Sequence, residues 1–322
     1  MCPSRQPGRQ PVAWIVPSAR ATHYGAAMAP SEFEIRAGGA HATVTGVGAG
    51  LRAFTVDGAH HVETYDGDPP MGAGCVLIPW PNRTAGARFD WAGTTHELDV
   101  TEPANGNAIH GLVRKQPWTV VEHTDDGVTL AIDVPAAHGW PQPLHVETTY
   151  AVEPAGLTVT HVLTNTGDAD VPAGVGTHPY LRVGDHPSGD CTLQVPTATV
   201  LDVDDRQIPT GPARDVTDEE SLRRPRRVAD LELDTCFGVR PGVAGVLAEL
   251  MAPDGTGTRL WGDRNVGWVQ AFTPASPFGR EGKAVAVEPM TCPPDALNSG
   301  TDLVVLQPGA TWTVRWGLEA VR

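Results

Sequence analysis

No stretch of the chain approaches the roughly 18 consecutive apolar residues that a membrane-spanning helix requires. Basic residues are also scarce, with 23 Lys and Arg against 38 Asp and Glu and a formal net charge of −15. A charge of that sign argues against a nucleic-acid backbone or an anionic membrane as the main partner. There are only five cysteines, Cys2, Cys75, Cys191, Cys236 and Cys292, widely spaced and with no C-x-x-C. Neither a disulfide framework nor a zinc–thiolate site is expected from that pattern. A short apolar patch at Val12–Val16 is too brief and too closely flanked by proline for a signal sequence. A reducing, cytoplasmic setting is therefore expected. Several catalytic signatures are missing: G-x-S-x-G, G-x-x-x-x-G-K and H-E-x-x-H do not occur. No βαβ alternation appears, which disfavours a parallel α/β fold, and no internal repeat is visible.

Glycine (36) and proline (30) are abundant, which predicts many turns and few long helices. From residue 32 onward the dominant period is two. Leu130, Ile132 and Val134 alternate with Thr129, Ala131 and Asp133. Val146, Thr148, Tyr150 and Val152 alternate with His145, Glu147 and Thr149. Leu157, Val159, His161 and Leu163 oppose Thr158, Thr160 and Thr164, and Trp312, Val314, Trp316 and Leu318 oppose Thr311, Thr313, Arg315 and Glu319. Two of these strands meet at Glu153–Gly156 as a hairpin. Thr217-Asp-Glu-Glu220 resembles a capping box and predicts one short helix over Ser221–Arg224. The whole reads as an all-β fold, one large antiparallel β-sandwich over residues 30–322. Residues 1–29 lack a sustained pattern and read as a disordered extension or as the product of an upstream start. Gly46-Val-Gly48-Ala-Gly50 is read as a turn between strands rather than a dinucleotide loop, because no helical pattern follows it. His60 and His61 are adjacent, point to opposite faces of any strand, and read as surface residues.

Four segments place polar residues among small or apolar ones: Ile78-Pro-Trp-Pro-Asn82-Arg83, Asn107-Ala-Ile-His110-Gly111, Gly176-Thr-His178-Pro179-Tyr180 and Val285-Ala-Val-Glu288-Pro289-Met290-Thr291. In the last two an ionisable residue immediately precedes proline. Proline restricts its predecessor to extended conformations and offers no ladder donor, so His178 and Glu288 are expected at strand ends. A histidine and a carboxylate suffice for acid–base chemistry near neutral pH. Residue chemistry alone leads to proton transfer or hydrolysis on a polar substrate, with no metal motif.

Taken in order, these segments resemble the aldose 1-epimerase (galactose mutarotase) family, and in particular a bacterial branch whose substrate is less well defined. Asn82-Arg83, with Gly86 and Phe89, is similar to the family's N-R-I-x-x-G-x-F, with Thr84 in the Ile place. Asn107 to Gly111 is similar to its N-x-x-H-G, and His178-Pro179-Tyr180 to its H-P-Y/F. Ile208-Pro-Thr-Gly211 resembles its I-P-T-G loop, and Glu288-Pro-Met-Thr291, Asn298 and Leu306-Gln-Pro-Gly309 resemble its C-terminal block. The resemblance spans about residues 35–320. It implies a large antiparallel supersandwich that interconverts the α and β anomers of free aldoses without metal or organic cofactor. It implies Glu288 as the base for the anomeric hydroxyl and His178 as the acid for the ring oxygen. His110 and Arg83 would bind the sugar, with Asn82 supporting them. Asp234 resembles a residue that contacts sugar hydroxyls, Gln270 one that lies beside the base, and Trp80 could face the ring or belong to the core. The acid and base are expected several ångströms apart, flanking the sugar, with Glu288 raised by burial and His178 able to hold a proton.

Ile78-Pro-Trp-Pro and Pro293-Pro294 depart from the usual galactose mutarotase pattern. Glucose or galactose is the default substrate, and a modified hexose such as a sulfonated one is the alternative. A hexose 6-phosphate is disfavoured, because the only dense basic run, Arg223–Arg227, reads as a solvated face. A non-catalytic carbohydrate-binding sandwich would need neither proton donor nor base. A glycoside hydrolase would need two flanking carboxylates, of which Glu288 is well placed and Asp234 is a candidate. The expected partner is a small-molecule sugar, and the expected state a monomer.

Overall fold

The computed structural model describes residues 32–239 and 244–322. The stretch expected to be a disordered extension, residues 1–29, lies outside the described residues. The strand-rich composition resolves into antiparallel sheets. The largest has nine strands, running in space from Thr119–His123 through Gly127–Val134, Leu144–Glu153, Gly156–Asn165, Thr311–Val321, Gly257–Gly262 and Gly245–Met251 to Thr192–Gln194 and Arg226–Arg227. The predicted hairpin pairs Glu153 with Gly156, and its second strand then pairs with the C-terminal strand, Val159 opposite Trp316 and Leu163 opposite Trp312. The alternating residues of these strands supply one buried apolar face that includes Leu130, Leu144, Val146, Leu157, Val159, Val314, Trp316 and Leu318. The N-terminal strands Glu32–Ala37, Ala40–Thr45, Leu51–Val56 and Ala59–His60 form a further sheet.

A second large sheet has eight strands. Five of them run in order Asp234–Gly238, Trp268–Phe272, Val285–Met290, Gly176–Thr177 and, at the edge, Val76–Leu77. Strand parity divides the side chains of Val285–Met290 between two environments. Val285 and Val287 join the main core, whereas Ala286 and Met290 lie in separate small clusters with Tyr180, Cys236 and Trp268. Glu288 shares parity with Ala286 and Met290. Both faces of this strand are thus covered, and one of them carries a carboxylate.

Local expectations meet mixed outcomes. Gly46–Gly50 is a turn between strands: Thr45 N–H donates to Gly50 O at 2.8 Å, and a Cβ on Gly48 would lie 2.4 Å from Arg114 O. The helix expected over Ser221–Arg224 does not form. The capping-box bonds do: Glu220 N–H donates to Thr217 Oγ1 at 3.3 Å and Thr217 N–H to Glu220 Oε2 at 3.0 Å. The chain then buries Leu222 fully, with its N–H bonded to Thr197 Oγ1, and reaches Pro225, which disfavours helical backbone before it. His61 is not a surface residue: it is 5% exposed, with Nδ1 2.7 Å from Thr258 Oγ1. His60 is half-buried, with its Nδ1 covered. Trp80 is core, stacked on Trp140 with ring centroids 5.6 Å apart. Cys75, Cys191, Cys236 and Cys292 are buried and unbridged. Among the described residues no helix is long and apolar enough to cross a membrane.

Candidate active site

His178 follows the two-residue strand Gly176–Thr177, which lies between Val76–Leu77 and Val285–Met290. It therefore stands at a strand end, as its position before Pro179 predicts. Its backbone is held on both sides: His178 N–H donates to Cys75 O at 3.2 Å, and Gly74 N–H donates to His178 O at 2.8 Å. Glu288 differs from expectation, because it sits inside its strand, directly opposite Gln270. Pro289 is tolerated there because of the neighbouring chain. Val287 and Thr291 donate across the same edge to Pro179 O and Val175 O, and Pro289 falls between them, where that chain is interrupted.

Asn82 and His110 hold each other at a pair of left-handed backbone positions, φ 56° and 64°. His110 N–H donates to Asn82 O at 2.9 Å, and Asn82 N–H donates to His110 Nδ1 at 3.2 Å. The second bond fixes the tautomer of a neutral His110: Nδ1 accepts, so Nε2 carries the proton. Gly111 follows with φ 65°, and a Cβ there would lie 2.1 Å from Ile78 O. Only glycine lets this turn press the His110 segment onto the Ile78 backbone.

The candidate side chains converge from four segments. His178 Nε2 lies 3.4 Å from Glu288 Oε1, with both side chains almost fully buried. The His178 ring stacks on Tyr180 at 5.1 Å and meets the His110 ring edge-on at 5.5 Å. Asn82 Nδ2 donates to Gln270 Oε1 at 3.2 Å, and Gln270 Nε2 donates to Asp234 Oδ1 at 2.7 Å. Arg83 pairs with Glu102 through Nε and Nη2, the shortest contact being 2.9 Å. The structure thus gathers Glu288, His178, His110, Asn82, Arg83, Gln270 and Asp234 in one place. The exception is Trp80, which packs in the core.

Glu102 and Asn107 adjoin Arg83, and the sequence assigns neither a role. Asn107 is fully buried, and its Nδ2 donates to Glu102 Oε2 at 3.2 Å. Glu102 precedes Pro103, so the signal that singled out Glu288, a carboxylate before proline, was present here too.

Electrostatics at the centre follow from burial. Glu288 is raised well above the usual carboxylate range, first by desolvation and then by Asp234, with Arg83 opposing. His178 is lowered to about 4, mainly by desolvation, with Arg114 adding to the effect. His110 is lowered well below its usual value by desolvation and by the neighbouring His178. Glu288 thus behaves as expected and His178 does not: burial favours the uncharged form of each, a protonated carboxyl and a neutral imidazole. The pair is also closer than a flanking arrangement requires. Glu288 Oε2 and His178 Nδ1 are buried with no hydrogen-bond partner among the described residues. His110, His178 and Glu288 each present a ligand atom, all within 4.8 Å of one another, so these same donors could hold a divalent ion.

Comparison with known proteins converges on one family. The aldose 1-epimerase family model matches residues 31–319. The chain is 33% identical over 281 residues to YihR of Escherichia coli K12, an uncharacterized protein, covering 85% of this chain and 88% of YihR. It is 31% identical over 105 residues to YphB of the same organism, covering 33% of this chain and 35% of YphB. Among solved structures, the GalM/aldose epimerase homologue from C. elegans superposes with a TM-score of 0.79 at 19% identity, covering 90% of this chain and 98% of that one. A galactose mutarotase-like protein from Clostridium acetobutylicum gives 0.78 at 18% identity, covering 89% and 94%. At these identities the superpositions speak to fold.

Proposed function

The chain belongs to the aldose 1-epimerase family, and from that premise we propose that it interconverts the α and β anomers of a free aldohexose by acid–base ring opening and closure. The observation that carries this reading is the buried His178–Glu288 pair at 3.4 Å. The two sugar oxygens that exchange protons, the anomeric hydroxyl and the ring oxygen, are bonded to the same carbon. An acid and a base side by side reach both.

Glu288 removes the anomeric proton while His178 protonates the ring oxygen. The bond from that oxygen to the anomeric carbon breaks and a carbonyl forms. Rotation about the next carbon–carbon bond presents the other carbonyl face, and closure returns both protons. This assignment requires the proton on Glu288 to pass to His178 in the complex. Sugar hydroxyls donating to the carboxylate, at the otherwise unpartnered Oε2 above all, favour its ionised form. His110 donates from Nε2 to the oxygen where negative charge develops, and its lowered pKa keeps it a neutral donor. Arg83 and Asp234 take sugar hydroxyls, with Asn82 and Gln270 orienting Asp234 through the bonds described above.

One proton on the pair is the active state, so kcat/KM should be bell-shaped in pH. Activity falls at low pH when His178 takes up a second proton, near about 4, and at high pH when Glu288 loses the only one. A rate profile whose acid limb has its midpoint near that of an ordinary histidine, about 6.5, would contradict this proton count.

Exchange NMR on an equilibrated aldohexose tests the function itself. The parent protein should produce cross-peaks between the α and β anomeric protons beyond the buffer rate, and Glu288→Gln should not. A parent protein without cross-peaks on glucose, galactose or a sulfonated hexose would overturn the reading. Release of a chromophore from aryl glycosides would replace it with hydrolysis.

A further inference from the structure

Arg83 is a half-buried cation in the site whose geometry is set by another residue. Glu102 accepts from Arg83 Nε with both carboxylate oxygens at 3.0 Å, and Oε1 accepts also from Nη2 at 2.9 Å. The two side chains are 14% and 18% exposed, so solvent screens the pair only partly. Among the described residues, Arg83 Nη1 has no hydrogen-bond acceptor. Glu102 is itself held, because the buried Asn107 Nδ2 donates to its Oε2 at 3.2 Å. Asn107 is locked in turn by the loop beyond Asp204. Its Nδ2 donates to Arg206 O at 3.0 Å, and Arg206 Nη2 donates to Asn107 Oδ1 at 3.0 Å. Arg206 Nε also donates to Asn105 O at 2.8 Å.

We propose that Glu102 is a positioning residue for sugar binding: it clamps Arg83 so that the remaining guanidinium nitrogen, Nη1, is presented to the substrate, with Asn107 and Arg206 bracing the clamp. This rests on the mutarotase reading of the site. A guanidinium free to rotate would spread its donors over many directions, and the sugar would have to order it on binding. The clamp orders it beforehand.

A double-mutant cycle with Glu102→Ala and Arg83→Ala tests the clamp, read as KM and kcat separately by polarimetry. Losing a hydrogen bond to a charged group corresponds to roughly a ten- to hundredfold effect. Glu102→Ala in the parent should raise KM by about that factor, with a smaller change in kcat. In the Arg83→Ala background it should change KM little, because there is no guanidinium left to position. Glu102→Asp should recover part of the loss. Equal KM effects of Glu102→Ala in both backgrounds would overturn the proposal. A readout independent of turnover separates this from failure of the mutarotase reading. In the ¹⁵N spectrum, Arg83 Nε–H should exchange slowly in the parent protein and fast in Glu102→Gln. Fast exchange in the parent overturns the clamp even in an active enzyme, and an inactive parent with slow exchange overturns only the mutarotase reading.

Discussion

At the scale of the residue, the account turns on where one proton sits. Burial raises Glu288 and lowers His178, so it favours the neutral form of each. Keeping a carboxyl group in that environment has a consequence for stability. A group whose folded pKa is raised contributes stability that is fully present below its unfolded pKa and lost as pH rises through the folded value. Glu288→Gln removes that loss. We expect the variant to lose turnover by roughly a hundred- to ten-thousandfold, the usual size of an acid–base contribution. Its melting temperature at alkaline pH should equal or exceed the parent's, as read by calorimetry. Near-full activity in Glu288→Gln would remove the carboxylate from the mechanism. Much at this scale was legible in the sequence, because His178, Glu288, His110 and the Asn82-Arg83 pair each lie in a short distinctive segment. The resting position of the proton was not. It depends on how completely Ala286, Met290, Tyr180 and Cys236 exclude water around the pair, which no local spacing reports.

At the scale of the element, short backbone devices place the side chains. The His110-Gly111 turn rests on Ile78 O with room for a hydrogen and none for a methyl group. Gly111→Ala should therefore cost more than about 1 kcal/mol in denaturant unfolding, counting only strain of this kind. Because His110 is displaced with the turn, activity should fall further than stability does. Unchanged unfolding would show that the turn has slack the structure does not contain. Period-two strands such as Leu144–Glu153 and Gly156–Asn165 were readable because one face is core and the other polar. Val285–Met290 was harder to read, since both its faces are buried and Glu288 lies in its interior rather than at its end. The helix expected after Thr217 failed for the opposite reason. Its local cap is real, but burial of Leu222 and the arrival of Pro225 override a signal worth about 1 kcal/mol.

At the scale of the molecule, the core contains histidines that must stay neutral. His161 is fully buried between Thr148 and Trp316. The Trp316 indole donates to its Nε2 at 3.0 Å, and Nδ1 lies 2.9 Å from Thr148 Oγ1. Burial lowers His161 to about 3 and His61 to about 4. A group with a depressed folded pKa contributes stability present above its unfolded value, near 6.5, and lost as pH falls toward the folded one. The melting temperature should therefore drop steadily from pH 6.5 toward 4. A fold equally stable at both ends of that window would contradict the burial of these rings. The order of strands within each sheet was not legible, because it is set by which buried faces meet across distant parts of the chain. The pairing of Gly156–Asn165 with Thr311–Val321 is one such contact. The most direct test of the central claim is polarimetry on freshly dissolved α-D-glucose, α-D-galactose and a sulfonated hexose, with the parent protein beside His178→Ala. The account predicts relaxation faster than buffer for at least one sugar, falling to the buffer rate in the variant. Relaxation at the buffer rate for all three sugars, or acceleration that survives the loss of His178, would contradict it.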